Sequence, residues 1–184
     1  MIKATKELLI DKRKVLVFDN NLTEKQLDEF ARRFYNAPFK KTEIGRPDTA
    51  AYTHWAHELD IKNLVNEAFW PATFDAVKQH SPDKKWRVYR AYVNYGGHGD
   101  AMFSHVDAKS EELTCLWYTV PQWNIDWAGE TMFYDKNDEI AYACVPKPGR
   151  LVIFDSQLKH SGRPPSRNCL HSRFTLALKL EPIK

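Results

Sequence analysis

From Arg173 to Leu180 the chain reads Arg-Phe-Thr-Leu-Ala-Leu-Lys-Leu, the most regular alternation in the sequence. Successive side chains of a β-strand leave on opposite faces. Phe174, Leu176, Leu178 and Leu180 therefore predict one face packed on a core, while Arg173, Thr175 and Ala177 share the other. A guanidinium and a hydroxyl thus stand together on the back of a core strand.

A second pattern lies upstream, in Phe103-Ser104-His105-Val106-Asp107. Residues i and i+2 of a strand project from one face, so His105 and Asp107 can both reach a single ion. His160 follows the short apolar run Gly149-Arg150-Leu151-Val152-Ile153-Phe154, which reads as a buried strand delivering that histidine. Two imidazoles and one carboxylate are the ligand set of a mononuclear non-haem iron(II) site, with three positions left open for an organic acid and O2. Arginine holds a carboxylate through two parallel hydrogen bonds. Arg173, with Thr175 beside it, therefore suits the far end of a dicarboxylate whose near end chelates the metal.

Rivals exist for each position. His98-Gly99-Asp100 is a second His-x-Asp triplet, but it follows Gly96-Gly97, where the chain is expected to turn. His171 competes with His160 and loses because it lies two residues before Arg173, leaving no room for a hairpin between ligand and anchor. Arg163 and Arg167 lie among prolines in an expected loop, whereas Arg173 lies on the alternating strand.

The segment from Tyr89 to Leu180 resembles the iron(II)- and 2-oxoglutarate-dependent oxygenases, specifically their prolyl-hydroxylase-like branch. The resemblance rests on Tyr95-Gly96-Gly97, the His105 and Asp107 motif, Leu113-Thr114-Cys115-Leu116-Trp117-Tyr118, Gly129-Glu130-Thr131, the run from Pro148 to Phe154, His160 and Arg173. It implies Fe(II), 2-oxoglutarate and O2 as cofactor and co-substrates. His105, Asp107 and His160 would bind iron, and Arg173 the distal carboxylate of 2-oxoglutarate. Tyr95 and Tyr118 would hydrogen-bond the co-substrate, with Thr175 as a further contact. The strand from Trp86 to Tyr95 would then turn Tyr89, Ala91, Val93 and Tyr95 toward the pocket and Arg90, Tyr92 and Asn94 away from it. By the same resemblance the chain is an enzyme that couples conversion of 2-oxoglutarate to succinate and CO2 with hydroxylation of an unactivated C–H bond. A carboxylate at position 107 favours hydroxylation over halogenation.

The fold expected is mainly β, a double-stranded β-helix of the jelly-roll or cupin-like type with supporting N-terminal α-helices. At 184 residues, 43% hydrophobic and 28% charged, the chain suits one oxygenase domain over 1–184, with 1–82 as strand and helical support and 83–184 as the catalytic β-helix core. Lys14 to Phe18 reads as a first strand, and Asn21 or Thr23 can cap a helix whose apolar face is Leu27, Phe30, Ala31 and Phe34. Ile61, Leu64, Val65, Ala68 and Phe69 recur at helical spacing, with a break or kink at Pro71 and continuation to about Lys78. Residues 40–53 give no clear pattern.

Composition narrows partners and location. There is no apolar stretch long enough to span a bilayer and no apolar secretory core at the start, so a cytoplasmic location is expected. Three cysteines, Cys115, Cys144 and Cys169, form no C-x-x-C pair and read as buried apolar groups. A net charge of +3 is too small to argue for nucleic acid, although Arg32, Arg33, Lys40, Lys41 and Arg46 gather basic charge. The oligomeric state is not readable. The substrate expected is a small polar metabolite or an amino-acid-type molecule. The alternatives are a prolyl residue of a peptide or protein, alkylated nucleic acid as for an oxidative demethylase, or no reaction at all, as for a jelly-roll binding protein. Trp55, Trp70, Trp117, Trp123, Trp127 and Tyr134 are candidates for pocket lining, with the core as the commoner home of such residues. The loop from Pro121 to Trp127 is a candidate lid.

Overall fold

The computed structural model describes residues 2–183. In chain order the elements are β1 (Lys6–Ile10), β2 (Arg13–Phe18), α1 (Glu24–Tyr35), β3 (Lys40–Glu43), β4 (His54–Glu58), α2 (Trp70–His80), β5 (Trp86–Gly96), β6 (Leu113–Tyr118), β7 (Thr131–Tyr134), β8 (Ile140–Cys144), β9 (Leu151–Asp155), β10 (His160–Gly162) and β11 (Arg173–Pro182). The larger sheet runs β1-β2-β9-β6-β11-β5-β4-β3 and the smaller β10-β7-β8. Every pairing is antiparallel. This is the double-stranded β-helix expected from the sequence. No described helix is long and apolar enough to cross a membrane.

Local chemistry accounts for the N-terminal elements. Asp11 and Lys12 both take positive φ, 47° and 67°, which closes the two-residue turn between β1 and β2 with the twist the strands need. Thr23 caps α1 in a reciprocal box: Gln26 N–H donates to Thr23 Oγ1 at 3.3 Å and Thr23 N–H donates to Gln26 Oε1 at 2.8 Å. Leu27, Phe30, Ala31 and Phe34 are the buried face of that helix, as their spacing predicts.

Pro71 does not kink a helix. Ile61–Asn66 is a short 3-10 segment, and α2 starts afresh at Trp70 with the proline in its first turn. A proline there loses nothing, because the N–H it lacks would have had no partner within the helix. Ile61 and Val65 consequently face solvent rather than the core.

Two apolar layers flank the larger sheet. On one side Phe174, Leu176 and Leu178 of β11 pack with Ala91 and Val93 of β5 under α1 and α2. On the other, Leu116, Val152, Phe154 and Phe133 close the space between the sheets. Trp117, fully buried, bolts β6 to α2: its Nε1–H donates to Thr73 Oγ1 at 2.9 Å, and its ring lies 6.2 Å from that of Phe69. At the far edge Arg150 grips Asp19 through two hydrogen bonds, 2.6 and 3.0 Å, and holds the Asp19 carboxyl below its ordinary range despite partial burial.

Trp117→Ala should cost about 3–5 kcal/mol in denaturant unfolding, and Thr73→Val, which strands the indole N–H, about 1–3 kcal/mol; a loss well under 1 kcal/mol in both would mean that α2 is not anchored through this contact. The Asp19 pair supplies stability above the ordinary aspartate pKa of 3.8 that is lost as pH falls through the lower folded-state value. Asp19→Asn should therefore lower stability by about 2 kcal/mol at neutral pH, with the gap to wild type closing in acid. A gap that persists at the acid end would show that the carboxylate's charge is not what matters.

Candidate active site

His105, Asp107 and His160 converge, and backbone pairing rather than a regular strand brings them together. His105 lies in an isolated extended segment, bridged to His160 by two backbone hydrogen bonds of 2.9 Å. Asp107 N–H then donates to Ser156 O at 2.9 Å. The segment thus runs antiparallel to the entry of β10, and i, i+2 geometry holds over three residues that form no longer strand. The ligand atoms of the three side chains all lie within 4.8 Å of one another. His105 Nε2 stands 3.4 Å from Asp107 Oδ1, and His160 Nε2 stands 3.6 Å from Asp107 Oδ2.

The two imidazoles are oriented alike. His105 Nδ1 is 2.9 Å from Phe103 O, and His160 Nδ1 is 2.9 Å from Leu158 O. A carbonyl only accepts, so each Nδ1 carries a proton and each Nε2 is the nitrogen turned toward the cluster. Burial drives the His160 pKa down to about 4, which keeps it neutral at physiological pH. The two Nε2 atoms and the Asp107 carboxylate are turned toward one another. This donor set fits a divalent metal.

Asp107 is held by two further groups. The Thr114 hydroxyl donates to its Oδ2 at 2.6 Å, and the Lys179 ammonium forms an ion pair with the same oxygen. Burial would raise the Asp107 pKa, but Lys179 and the neighbouring imidazoles outweigh it and hold the carboxyl well below its usual range. Burial likewise opposes the charge on Lys179, and Asp107 overrides it, so its pKa is raised. Both groups are charged.

Arg173 occupies the other end of the cavity face of β11. Its side chain is 3% exposed; Nε–H donates to Gly129 O at 2.6 Å, one terminal nitrogen to Thr131 Oγ1 at 3.0 Å and the other to Thr175 Oγ1 at 3.5 Å. Among the described residues no carboxylate pairs with it. Gly129, at φ 83°, supplies its carbonyl from a left-handed turn, and a side chain there would strike Trp123 at 2.8 Å. A buried guanidinium with only neutral partners calls for an anion.

Arg173, Thr175, His105, Asp107 and His160 line one cavity. Tyr118 stands behind it, its ring 5.6 Å from the Arg173 guanidinium carbon and its hydroxyl donating to Thr131 Oγ1 at 2.7 Å. Tyr95 lies elsewhere. Its register opposite Phe174 puts it on the helix side of the sheet, with ring centroids 5.8 Å from Phe174 and 5.9 Å from Phe39. The expected facing of β5 is therefore reversed: Tyr92 and Asn94 look into the cavity, while Ala91 and Val93 are core. Tyr89 leaves the pattern because it is skipped where β11 shifts register between Lys179 and Leu180. His98 bonds the Pro165 carbonyl, His171 packs on Trp127, and Arg163 and Arg167 are exposed. Of the large aromatics considered as lining, Trp117 and Trp70 belong to the core, Trp123 and Trp127 pack edge to face on each other, and Tyr134 bonds Ser161.

Lys179, Thr114, His54, Asn94 and Tyr92 also line the cavity and were missed. Lys179 had a signal, since it continues the face of Arg173, Thr175 and Ala177. His54 had none, because β4 reaches the site only through its pairing with β5, while Tyr92 and Asn94 stand on the face of β5 that the sequence reading turns away.

The sequence model of the 2OG-Fe(II) oxygenase superfamily matches residues 87–178, half of the chain. No curated protein matches it. Solved structures similar to it include a prolyl-4-hydroxylase from Pseudomonas putida (15% identity, 92% of each chain, TM-score 0.67). A viral collagen prolyl hydroxylase from Paramecium Bursaria Chlorella virus-1 is similar at 14% identity over 100% of this chain and 97% of that one, with a TM-score of 0.68. So is the non-heme alpha ketoglutarate dependent epimerase SnoN from nogalamycin biosynthesis, at 14% identity, 91% and 77% coverage and a TM-score of 0.64. A donor cluster for a divalent ion and a buried cation for an acid, on a β-helix of this shape, agree with the matched family: the chain belongs to the 2OG-Fe(II) oxygenase superfamily and is an iron- and 2-oxoglutarate-dependent enzyme.

Proposed function

We propose that this protein hydroxylates an unactivated C–H bond of a small polar or amino-acid-type substrate, with His105, Asp107 and His160 as iron ligands and Arg173 as the anchor for the distal carboxylate of 2-oxoglutarate. The inward-turned donor atoms of the three ligands and the guanidinium without an anionic partner among the described residues, set along one cavity, support that assignment. Iron(II) with 2-oxoglutarate and O2 supplies the oxidising power there, with release of succinate and CO2. The chain's own residues bind, orient and exclude water. Thr175 and Thr131 fix the plane of the Arg173 guanidinium, and Tyr118, which burial keeps protonated, fixes Thr131. Leu116, Phe154 and Ala177 supply apolar wall between the two ends. The proposal takes 1–184 as one oxygenase domain with 1–82 in support, in a cytoplasmic setting.

Substrate size and polarity are read from the compartment outside the metal cluster. It measures 220 Å³, below the roughly 300–1,000 Å³ of pockets for drug-sized ligands. Its wall carries Glu43, His54, Tyr89 and Asn94, with Ile44 and Val106 as apolar members. Asn94 Oδ1 is buried with no hydrogen-bond partner, and burial keeps His54 neutral. Both are free to bond a polar ligand. Nucleic acid is not favoured, since Arg33 pairs with Glu67, Arg46 with Asp48, and Arg90 with Glu43 and Glu58. A peptide is the rival, as the similar prolyl hydroxylases suggest.

Under anaerobic conditions Fe(II) and 2-oxoglutarate together should give a visible charge-transfer band. Asp107→Ala should abolish it, and Arg173→Ala should weaken 2-oxoglutarate binding by about tenfold or more. A band lost in His98→Ala and kept in His105→Ala would refute the ligand assignment. Free amino acids and small polar metabolites, run beside proline-containing peptides, should stimulate succinate release with gain of one oxygen in the product. With the responsive substrate, Asn94→Leu and His54→Leu should raise KM and leave 2-oxoglutarate affinity unchanged. Stimulation by peptides alone would overturn the small-substrate reading.

A further inference from the structure

The two oxygens of Asp107 are not equivalent. Oδ2 receives the Thr114 hydroxyl at 2.6 Å and the Lys179 ammonium. Among the described residues Oδ1 accepts no such bond; His105 Nε2 stands 3.4 Å from it, and His160 Nε2 stands 3.6 Å from Oδ2. The Lys179 side chain is 8% exposed and that of Asp107 6%, so neither exchanges its partner for water. The ammonium is tied down elsewhere as well: it donates to Thr114 Oγ1 at 3.2 Å and sits 6.0 Å from the centre of the Tyr92 ring. Ser156 Oγ, 3.0 Å from Thr114 Oγ1, completes the chain of contacts.

A buried cation next to a metal-binding carboxylate is costly in two ways. It loses hydration, and it repels the metal. Arg173 already provides a cation for the co-substrate at the other end of β11, so Lys179 is not needed for that. Its ammonium meets Oδ2 directly and bonds Thr114, whose hydroxyl donates to the same oxygen. A carboxylate free at both oxygens can chelate one ion with both, which would consume a coordination position that this chemistry needs open.

We infer that Lys179 is a positioning residue that, with Thr114, reserves Oδ2 of Asp107 so that the metal is ligated through Oδ1 alone. This rests on the metal-site reading above. Co(II) is a suitable probe, because its visible d–d bands report coordination number without turnover. Crystal structures of the Co(II)-loaded protein should show Oδ1 on the metal and Oδ2 on the ammonium. In Lys179→Met both oxygens should ligate, with a shift and weakening of the d–d bands, and Lys179→Arg should restore the wild-type spectrum. Should Lys179→Met fail to fold, Thr114→Val carries the same test, with Thr114→Ser as its restoring partner. Two-oxygen or Oδ2 ligation in wild type, or variant spectra identical to wild type, would overturn the inference and leave the metal site standing. Failure of the wild-type protein to bind Co(II) at all would overturn both.

Discussion

A strand buried on both faces can carry polar side chains only where each finds a partner, and β11 is such a strand. From Arg173 to Leu180 every residue is buried. Phe174, Leu176 and Leu178 solve the problem on the helix side by being apolar. On the other side Arg173, Thr175 and Lys179 are tolerated because β6, β7, the turn before β7 and the segment carrying Asp107 bring them hydroxyls, a carbonyl and a carboxylate. The space between the sheets is therefore a polar cavity with apolar walls, and the positions of its charges are set by strand register. A slip of β11 by one residue would carry both cations into the helix-packed core.

The charges along that face are unequal in an informative way. Lys179 is matched by Asp107, whereas among the described residues the hydrogen-bond partners of Arg173 are neutral. The Arg173 end thus presents a buried guanidinium without an ion pair among the described residues, and the other end the converging donor atoms of His105, Asp107 and His160. About six residues of strand, roughly 20 Å of backbone at 3.3 Å per residue, separate the two cations, and their long side chains reach into the gap from its ends. A divalent cation suits the donor atoms and a dianion suits the guanidinium. Their charges cancel, so together they add none to a site that has little water to screen it.

Much of this was legible in the sequence because it depends on local periodicity. The alternation after Arg173, the apolar face of α1 and the threonine cap before it follow from spacing alone, and the His-x-Asp triplet with a distant histidine follows from donor chemistry. Gly99, at φ 86°, takes the turn that sets His98 apart. The failures share a different cause. The facing of β5 depends on which side the helices cover, and the resemblance, not the period, turns Tyr95 toward the pocket; in the structure that side is the helix-packed core. Pro71 reads as a break in either place, and only the packing of Phe69 and Leu64 makes it a start. Residues 40–58 are polar and short-stranded because β3 and β4 form the edge of the sheet, where little apolar surface is needed to hold a strand.

That edge is what reaches the site from outside the segment shared with the superfamily. The three metal-site residues and Arg173 fall within residues 87–178. Glu43, Gly45 and His54 do not, yet a Cβ at Gly45 would lie 3.6 Å from His105 Nδ1, and His54 lines both the inner cavity and the outer compartment. Arg46 pins the intervening loop over the cluster by donating to Ser104 O at 2.6 Å. The reaction centre thus comes from the segment shared with the superfamily, whereas part of the wall facing the substrate comes from residues 43–54. The centre is fixed by buried, mutually dependent charges in which any change leaves another group unpaired. On the outer side His54 of β4 and the loop residues Ile44 and Gly45 add to the wall without pairing with those charges. Specificity can therefore change through residues 43–58 while the chemistry stays in place.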